Sequence, residues 1–135
     1  MHITLMADYA VRIVDTLARA DGIISAKTIA ERACVTQLFT LRILHKLVSC
    51  GIVRSHRGTY GGYEMAVPID KLSVFDVLSA IEGDIVLNRC LLEKNTCTRV
   101  PDKMCPYHMV FKELTETVCN KLASITFADV LAAEK

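Results

Sequence analysis

Three of the six cysteines lie close together in the sequence, at a spacing that could serve metal or redox chemistry. Cys90, Cys97 and Cys105 follow the pattern Cys-x6-Cys-x7-Cys. The N-terminus lacks the features of a signal peptide and no stretch is long enough to span a bilayer, so we expect a cytoplasmic protein without a membrane partner. In that reducing compartment, clustered thiols are more often metal ligands or redox sensors than disulfides. The triplet predicts such a site, and it matches a zinc ribbon poorly because no pair is Cys-x2-Cys.

A fourth ligand could come from either of two residues. Cys105 stands before Pro106 at an expected helix start, where the helix dipole and free N–H groups favour the metal-binding thiolate. His108 lies one turn along the same face and could add a nitrogen ligand, or it could hydrogen-bond within a dimer interface. Asp8 of the partner subunit competes with His108, although an acid near a helix start is also expected for its effect on the dipole.

The remaining three cysteines show no such pattern. Cys34 falls in an expected turn, Cys50 at a helix end and Cys119 beside an apolar stripe. Unligated cysteine behaves as a small hydrophobic residue, so we expect each of these to be buried.

The elements that precede the triplet predict a helix-turn-helix. Apolar residues at positions 10, 13, 14 and 17 form one face of a first helix over residues 9–20. Ser25 can cap a second helix over residues 26–33, and Thr36 can cap a third that runs to Cys50 before Gly51. The inward residues expected on the third helix are Thr40, Ile43, Leu44 and Leu47. Two helices joined by a tight turn, with basic residues on the second, are typical of DNA-binding domains.

A glycine-rich hairpin follows the third helix. Residues 52–56 and 63–67 are predicted strands, and the turn between them contains Gly58, Gly61 and Gly62. Because glycine keeps side chains out of the turn, the tip of the hairpin could come close to another surface. This pattern predicts a wing, and Ser73 can then cap a helix that runs to about Glu82.

The last part of the chain predicts a long helix that begins at Cys105-Pro106. Such a helix suits packing against a second copy of the chain, with packing inside one subunit as the alternative. The composition, 52% hydrophobic, also favours a surface covered by a partner. Thr126 can cap a short final helix over residues 127–133. The apolar residues of the long helix recur at spacings of three and four: Tyr107, Val110, Phe111, Leu114, Val118, Leu122 and Ile125.

Basic residues are concentrated in one segment, although the net charge is only +1. Residues 32–63 hold five Lys or Arg and no acid, so this segment carries +5 and the rest of the chain −4. We expect the first turns of the third helix to reach base edges, its leucines touching thymine methyl groups, while an arginine of the wing enters the minor groove. The residues expected to contact DNA are Thr36, Gln37, Leu38 and Leu41 for bases, Arg42, Lys46 and Arg54 for phosphates, and Arg57 and Tyr60 at the wing.

Several motifs together carry a family resemblance. They are Asp8-Tyr9-Ala10-Val11-Arg12, Gly51-Ile52-Val53, Arg57-Gly58-x-x-Gly61-Gly62-Tyr63, the cysteine triplet, and the ending Ile125-Thr126-Phe127-Ala128-Asp129-Val130-Leu131. On these motifs the chain resembles, over essentially its full length, winged-helix iron-sulfur regulators of the IscR, NsrR and RirA type. Its cysteine spacings are wider than those typical of the IscR branch, and Leu41 stands where that branch reads bases with an acid.

The resemblance implies a homodimer with crossed long helices that binds pseudo-palindromic promoter DNA and holds an iron-sulfur cluster on the triplet. His108 is similar to the IscR branch, which implies a 2Fe-2S cluster, whereas Asp8 is similar to the NsrR branch, which implies 4Fe-4S. We favour His108 and 2Fe-2S. The implied fold is mainly α with a two-stranded wing: a winged helix-turn-helix domain over residues 1–82, a cluster-binding loop over 83–104, and a dimerisation helix and C-terminal helix over 105–135.

The predicted function is a DNA-binding transcriptional regulator, a repressor, that senses iron-sulfur status, redox stress or nitric oxide through the cluster. A winged-helix regulator that uses zinc or thiols instead is the first alternative, and a small iron-sulfur electron carrier is the second. Electron transfer would need neither the acid-free basic segment nor the wing. No nucleophile, base and orienting group occur together and no phosphate-binding loop is present, so we expect no enzymatic activity.

Overall fold

The computed structural model describes residues 2–92, 97–99 and 105–134. Part of the expected cluster-binding loop, residues 93–96 and 100–104, therefore lies outside the described residues. The described ranges hold six α-helices, one two-stranded antiparallel sheet and a single 3-10 turn at Arg89–Leu91, which confirms the predicted fold class. The elements are α1 (Leu5–Ala18), α2 (Ala26–Ala33), α3 (Gln37–Ser49), β1 (Val53–His56), β2 (Gly62–Met65), α4 (Val74–Glu82), α5 (Pro106–Ala123) and α6 (Phe127–Ala133).

Polar residues in front of the helices explain where they begin. Ser25 and Thr36 accept the backbone N–H of the third residue that follows each of them, as expected. The first helix starts at Leu5, not near residue 9, because Thr4 accepts the N–H of Ala7 and satisfies the first turn. The prediction missed this turn because its residues show little apolar periodicity.

The starts of α4 and α6 lie side by side and are capped in the same way. In each, a hydroxyl and a carboxylate three residues later exchange hydrogen bonds with backbone N–H groups, the pairs being Ser73 with Asp76 and Thr126 with Asp129. The N–H of Thr126 donates to the carboxylate at 2.9 Å and lowers the pKa of Asp129. Phe127, the first residue of α6, is buried in the core shared with the N-terminal helices.

The core lies between the first four helices. Most of its members come from α1, α3 and α4, and the inward positions predicted for α1 and α3 are buried. The largest fully buried side chains include Ile13, Val14, Ile29, Ile43, Leu44, Leu47, Val77 and Phe127. None of the described helices is both long and apolar enough to cross a membrane.

One core position holds a hydroxyl without a hydrogen-bond partner among the described residues. Thr40 of α3 is fully buried, and its Oγ1 is unpaired. Since a buried unpaired hydroxyl costs free energy, the isosteric Thr40→Val protein should be more stable by about 1 kcal/mol in urea unfolding. Thr16 is the matched control because its buried Oγ1 donates to Arg12 O at 2.9 Å, so Thr16→Val should lower stability. Equal effects of the two substitutions would contradict the explanation.

The β ribbon is anchored to the loop between α1 and α2. The backbone groups of Ile24 and Tyr63 exchange hydrogen bonds of 3.0 and 2.8 Å. A Cβ at Gly62 would lie 2.3 Å from Ile24 O, and one at Gly61 would lie 2.4 Å from His56 O. These two glycines are therefore required by the packing of the chain against itself, whatever surface the ribbon meets outside.

Candidate DNA-binding surface and cysteine site

The third helix presents one face to the core and the other to solvent. Thr40, Ile43, Leu44 and Leu47 are buried, as predicted. At the start of the helix, Phe39 meets the ring of Tyr9 edge-to-face with centroids 6.0 Å apart, which fixes the helix against α1. The exposed residues are Gln37, Leu38, Leu41, Arg42, His45, Lys46 and Ser49.

Two leucines stand on the solvent face of α3. Leu38 is 77% exposed and Leu41 is 44% exposed. Both side chains are therefore accessible to an outside surface, as the expected contact with thymine methyl groups requires. The hydroxyl of Thr36 already has an intramolecular partner, because its Oγ1 caps the helix by accepting the N–H of Phe39.

The tip of the ribbon carries two side chains that are exposed to solvent. Tyr60 is 92% exposed, and Arg57 is also exposed. Near the base of the ribbon, Arg54 Nη1 lies 3.5 Å from Glu64 Oε1. The same carboxylate oxygen lies 2.8 Å from His56 Nε2.

Lys46 has a contact that the sequence did not indicate. Its Nζ donates to Ile81 O, in the last turn of α4, at 3.4 Å. A cation at the C-terminal end of a helix interacts favourably with the helix dipole. Lys46 therefore ties α3 to the end of α4, after which the cysteine-bearing segment begins.

The three predicted cysteine ligands lie in and after that segment. Cys90 is in the 3-10 turn, Cys105 is the N-cap of α5 and Cys97 lies between them, all of them partly exposed. The thiol of Cys105 makes no capping hydrogen bond within the described structure. Among residues 2–92, 97–99 and 105–134, no three His, Cys, Asp or Glu side chains lie close enough to hold one metal ion. Within one chain, the described structure therefore does not bring three of the predicted ligands to one point.

The two candidates for fourth ligand sit in different settings. His108 is half-buried in the first turn of α5, three residues after Cys105. Asp8 is in the first turn of α1 and pairs with Arg12 Nη2 at 2.8 Å. Asp8 also lines an open cleft of about 500 Å³ with Ile3, Leu5 and Val11.

The segment after α4 is attached to α5 by side-chain hydrogen bonds. Thr115 Oγ1 accepts the N–H of Leu87 at 3.1 Å, and the thiol of Cys119 donates to Ile85 O at 3.6 Å. At the start of α5, the guanidinium of Arg99 stacks on the ring of Tyr107, 4.7 Å from its centroid. Residues on both sides of Cys90 and Cys97 thus contact the long helix.

The expectation that the other cysteines are buried was wrong. Cys34 and Cys50 are exposed, and Cys119 is only partly buried. Cys34 is the C-cap of α2 with φ +56, so its side chain points out from the tight turn of the helix-turn-helix. Cys50 is the C-cap of α3, beyond the last buried turn.

The apolar stripe of α5 divides into two faces. Phe111 and Leu122 are partly buried against the same chain, Leu122 packing on the core. No residue of α5 is fully buried in the single chain. The exposed apolar residues lie one helical turn apart on the other face: Tyr107, Val110, Leu114 and Val118. Packing inside one subunit therefore accounts for only part of the stripe.

Comparisons with known proteins agree with this architecture. Residues 3–133 match the model of the Rrf2 family, described as an iron-dependent transcriptional regulator. A Haemophilus influenzae protein, provisionally named an HTH-type transcriptional regulator, is 29% identical over 97% of this chain and 87% of its own length. Among solved structures, IscR of T. potens superposes with a TM-score of 0.80 at 24% identity, covering 100% of this chain and 89% of IscR. CymR, the global cysteine regulator of B. subtilis, superposes with a TM-score of 0.79 at 23% identity over 98% of each chain.

Proposed function

Because this chain belongs to the Rrf2 family of DNA-binding transcriptional regulators, we propose that it is a cytoplasmic homodimeric repressor controlled by an iron-sulfur cluster. Regulators of this family are typically dimeric and are not enzymes. The proposed ligands are Cys90, Cys97, Cys105 and His108. The observation that carries the proposal is the placement of the cysteines between α4 and α5. The helix α4 contacts α3, the proposed recognition helix, and α5 carries an exposed apolar face.

The proposed DNA contacts divide between α3 and the ribbon. Gln37, Leu38 and Leu41 would face base edges in the major groove, with Thr36 at the helix start. Arg57 and Tyr60 would contact the adjacent minor groove and backbone from the tip of the ribbon. The phosphate contacts are assigned to Arg42, Lys46 and Arg54, and their exposure on the outer surface supports this.

The proposed dimer covers the exposed face of α5. Leu114 is 47% exposed in the single chain, and its apolar neighbours one turn away on either side are exposed to a similar degree. A continuous apolar stripe along a helix of 18 residues is unusual on a monomer and suits packing against the same helix of a twin. Two recognition helices related by a twofold axis would then read a pseudo-palindromic site.

The chemistry of the donor set fits an iron-sulfur cluster. Soft thiolates bind iron, and the thiol of Cys105, the N-cap of α5, is not used for capping. The three thiols would have to come closer together than they lie here to share one cluster. A bound cluster would supply a centre that oxidants, nitric oxide or iron shortage can alter, most readily with mixed ligation.

The chain offers a route from this site to the DNA surface. A rearrangement of Cys90 and Cys97 would also move the nearby residues Leu87 and Ile85. These two residues are hydrogen-bonded to Thr115 and Cys119 of α5. At its other end the segment joins the last turn of α4, which Lys46 ties to α3. Ordering the cysteines would therefore shift the two recognition helices relative to each other and favour one dimer arrangement.

The test compares metal-loaded and metal-free protein on one duplex. The protein is reconstituted anaerobically with iron and sulfide, and duplexes that it binds are selected from a random library. The dissociation constants of the loaded and metal-free dimers for the selected duplex should differ by about tenfold or more at fixed salt. Equal affinities would remove the sensing role while leaving DNA binding in place.

A thiol-based regulator without a cluster is the second candidate. It is favoured by the exposure of Cys34 and Cys50, the C-caps of α2 and α3. Protein that stays colourless after reconstitution, yet loses DNA affinity on treatment with a thiol oxidant, would establish this candidate in place of the first.

A further inference from the structure

One carboxylate faces the basic groups on the outward side of the β ribbon. Arg54 is directly opposite Glu64 in the strand register and His56 is two residues along β1, so the three side chains share one face. Val53, on the other face, is buried. Glu64 Oε1 lies 2.8 Å from His56 Nε2 and 3.5 Å from Arg54 Nη1. A single oxygen is thus held between the two nitrogen groups that this face presents to solvent.

This pairing changes the charge that the basic segment offers to DNA. Residues 32–63 contain no acid, and Glu64 is the first acid after them. The Arg54 side chain is 60% exposed and the Glu64 side chain 30% exposed, so the guanidinium can reach a phosphate while the carboxylate stays on the ribbon. A phosphate must then compete with Glu64 for the guanidinium, and the carboxylate also repels the approaching phosphate.

We propose that Glu64 limits the non-specific binding of duplex DNA by holding Arg54 against the ribbon. Binding to arbitrary sequences depends almost wholly on phosphate contacts, so a carboxylate that opposes one contact weakens it for every sequence. Base reading by the first turns of α3 does not involve this face of the ribbon. Glu64 therefore lowers the phosphate-dependent part of the affinity, which is nearly all of the affinity for the arbitrary sequences that compete with the specific site. The inference rests on the proposed contact between Arg54 and a DNA phosphate.

The test uses the full-length protein and a random-sequence duplex of about 30 base pairs, which requires no knowledge of the operator. Glu64→Gln keeps the side-chain length and an oxygen that can accept the His56 Nε2–H, so the ribbon should keep its fold. At about 0.1 M salt the variant should bind about three- to fivefold more tightly, the range expected for a half-exposed ion pair. The plot of log affinity against log salt should become steeper by up to about one unit, as for one added phosphate contact.

Two further variants identify the cause. In an Arg54→Gln background, Glu64→Gln should change the affinity by less than about twofold, because the guanidinium it restrains is gone. Asp70→Asn removes an exposed acid from the turn that follows the ribbon and should also change affinity by less than about twofold. If Asp70→Asn tightens binding as much as Glu64→Gln, or if Glu64→Gln acts equally without Arg54, the effect is one of net charge and the inference is overturned.

The outcome for Arg54→Gln alone separates this inference from the proposed DNA surface. A weaker affinity with a shallower salt dependence supports the phosphate contact, and an unchanged affinity for Glu64→Gln would then overturn only the role of Glu64. An unchanged affinity for Arg54→Gln would remove the contact itself and the inference with it.

Discussion

The Leu114→Glu protein is expected to run as a monomer and to bind its selected duplex about 100-fold more weakly, or worse, than the wild type. Leu114 lies in the middle of the exposed apolar face of α5, between Val110 and Val118. In a dimer that buries this face, the substitution would place two carboxylates in an apolar interface without partners. Loss of the dimer would also remove the second half-site contact, which explains the size of the expected effect on DNA affinity.

The variant should not unfold, because Leu114 is about half exposed in the single chain and the hydrophobic core does not include it. Asn120→Glu is the matched control, since it adds the same charge to an exposed position of α5 off the apolar face. Analytical ultracentrifugation and circular dichroism would measure the oligomeric state and the helix content. A Leu114→Glu protein that remains dimeric would show that the interface lies elsewhere.

Cys90→Ser, Cys97→Ser and Cys105→Ser are each expected to lower the iron content after anaerobic reconstitution by about tenfold or more, and to remove the visible absorption. Serine oxygen is a poorer ligand than thiolate sulfur for this type of centre. Cys119→Ser is the matched control because Cys119 hydrogen-bonds to Ile85 O on the inner side of α5 and is not among the proposed ligands. Its iron content should stay close to that of the wild type.

Two alanine variants distinguish the proposed fourth ligands. His108→Ala should make the cluster much more labile, whereas Asp8→Ala should leave it intact, because Asp8 already pairs with Arg12. Mössbauer spectroscopy of the reconstituted proteins would also separate 2Fe-2S from 4Fe-4S. Loss of the cluster in Asp8→Ala, with retention in His108→Ala, would reverse the assignment. Iron retained in all three serine variants would exclude the triplet as the ligand set.

Local sequence predicted the helices and the ribbon with few errors. The caps Ser25, Thr36, Ser73 and Thr126 fix helix starts through hydrogen bonds to residues three positions away. The buried face of α3 follows from the spacing of its apolar residues. The error at the first helix had a local cause as well, since the Thr4 cap was present in the sequence but its turn lacked apolar periodicity.

The sequence could not predict how basic and apolar residues are used on the surface. Lys46 was expected to face phosphate but also donates to Ile81 O. The stripe of α5 appeared continuous, yet only the packing of the neighbouring elements shows which of its residues stay exposed. The exposed cysteines at the ends of α2 and α3 were expected to be buried because residue type alone suggested it.

The sequence by itself determined the order and type of the elements and the inward face of α3. These depend on residue type and on contacts between residues a few positions apart, which any chain segment carries with it. The tertiary structure decided that Glu64 faces Arg54 and His56, that Gly61 and Gly62 are needed for close backbone approaches, and that one apolar face of α5 stays exposed. Those features depend on strand register and on the packing of elements that are distant in sequence, and no local pattern specifies either.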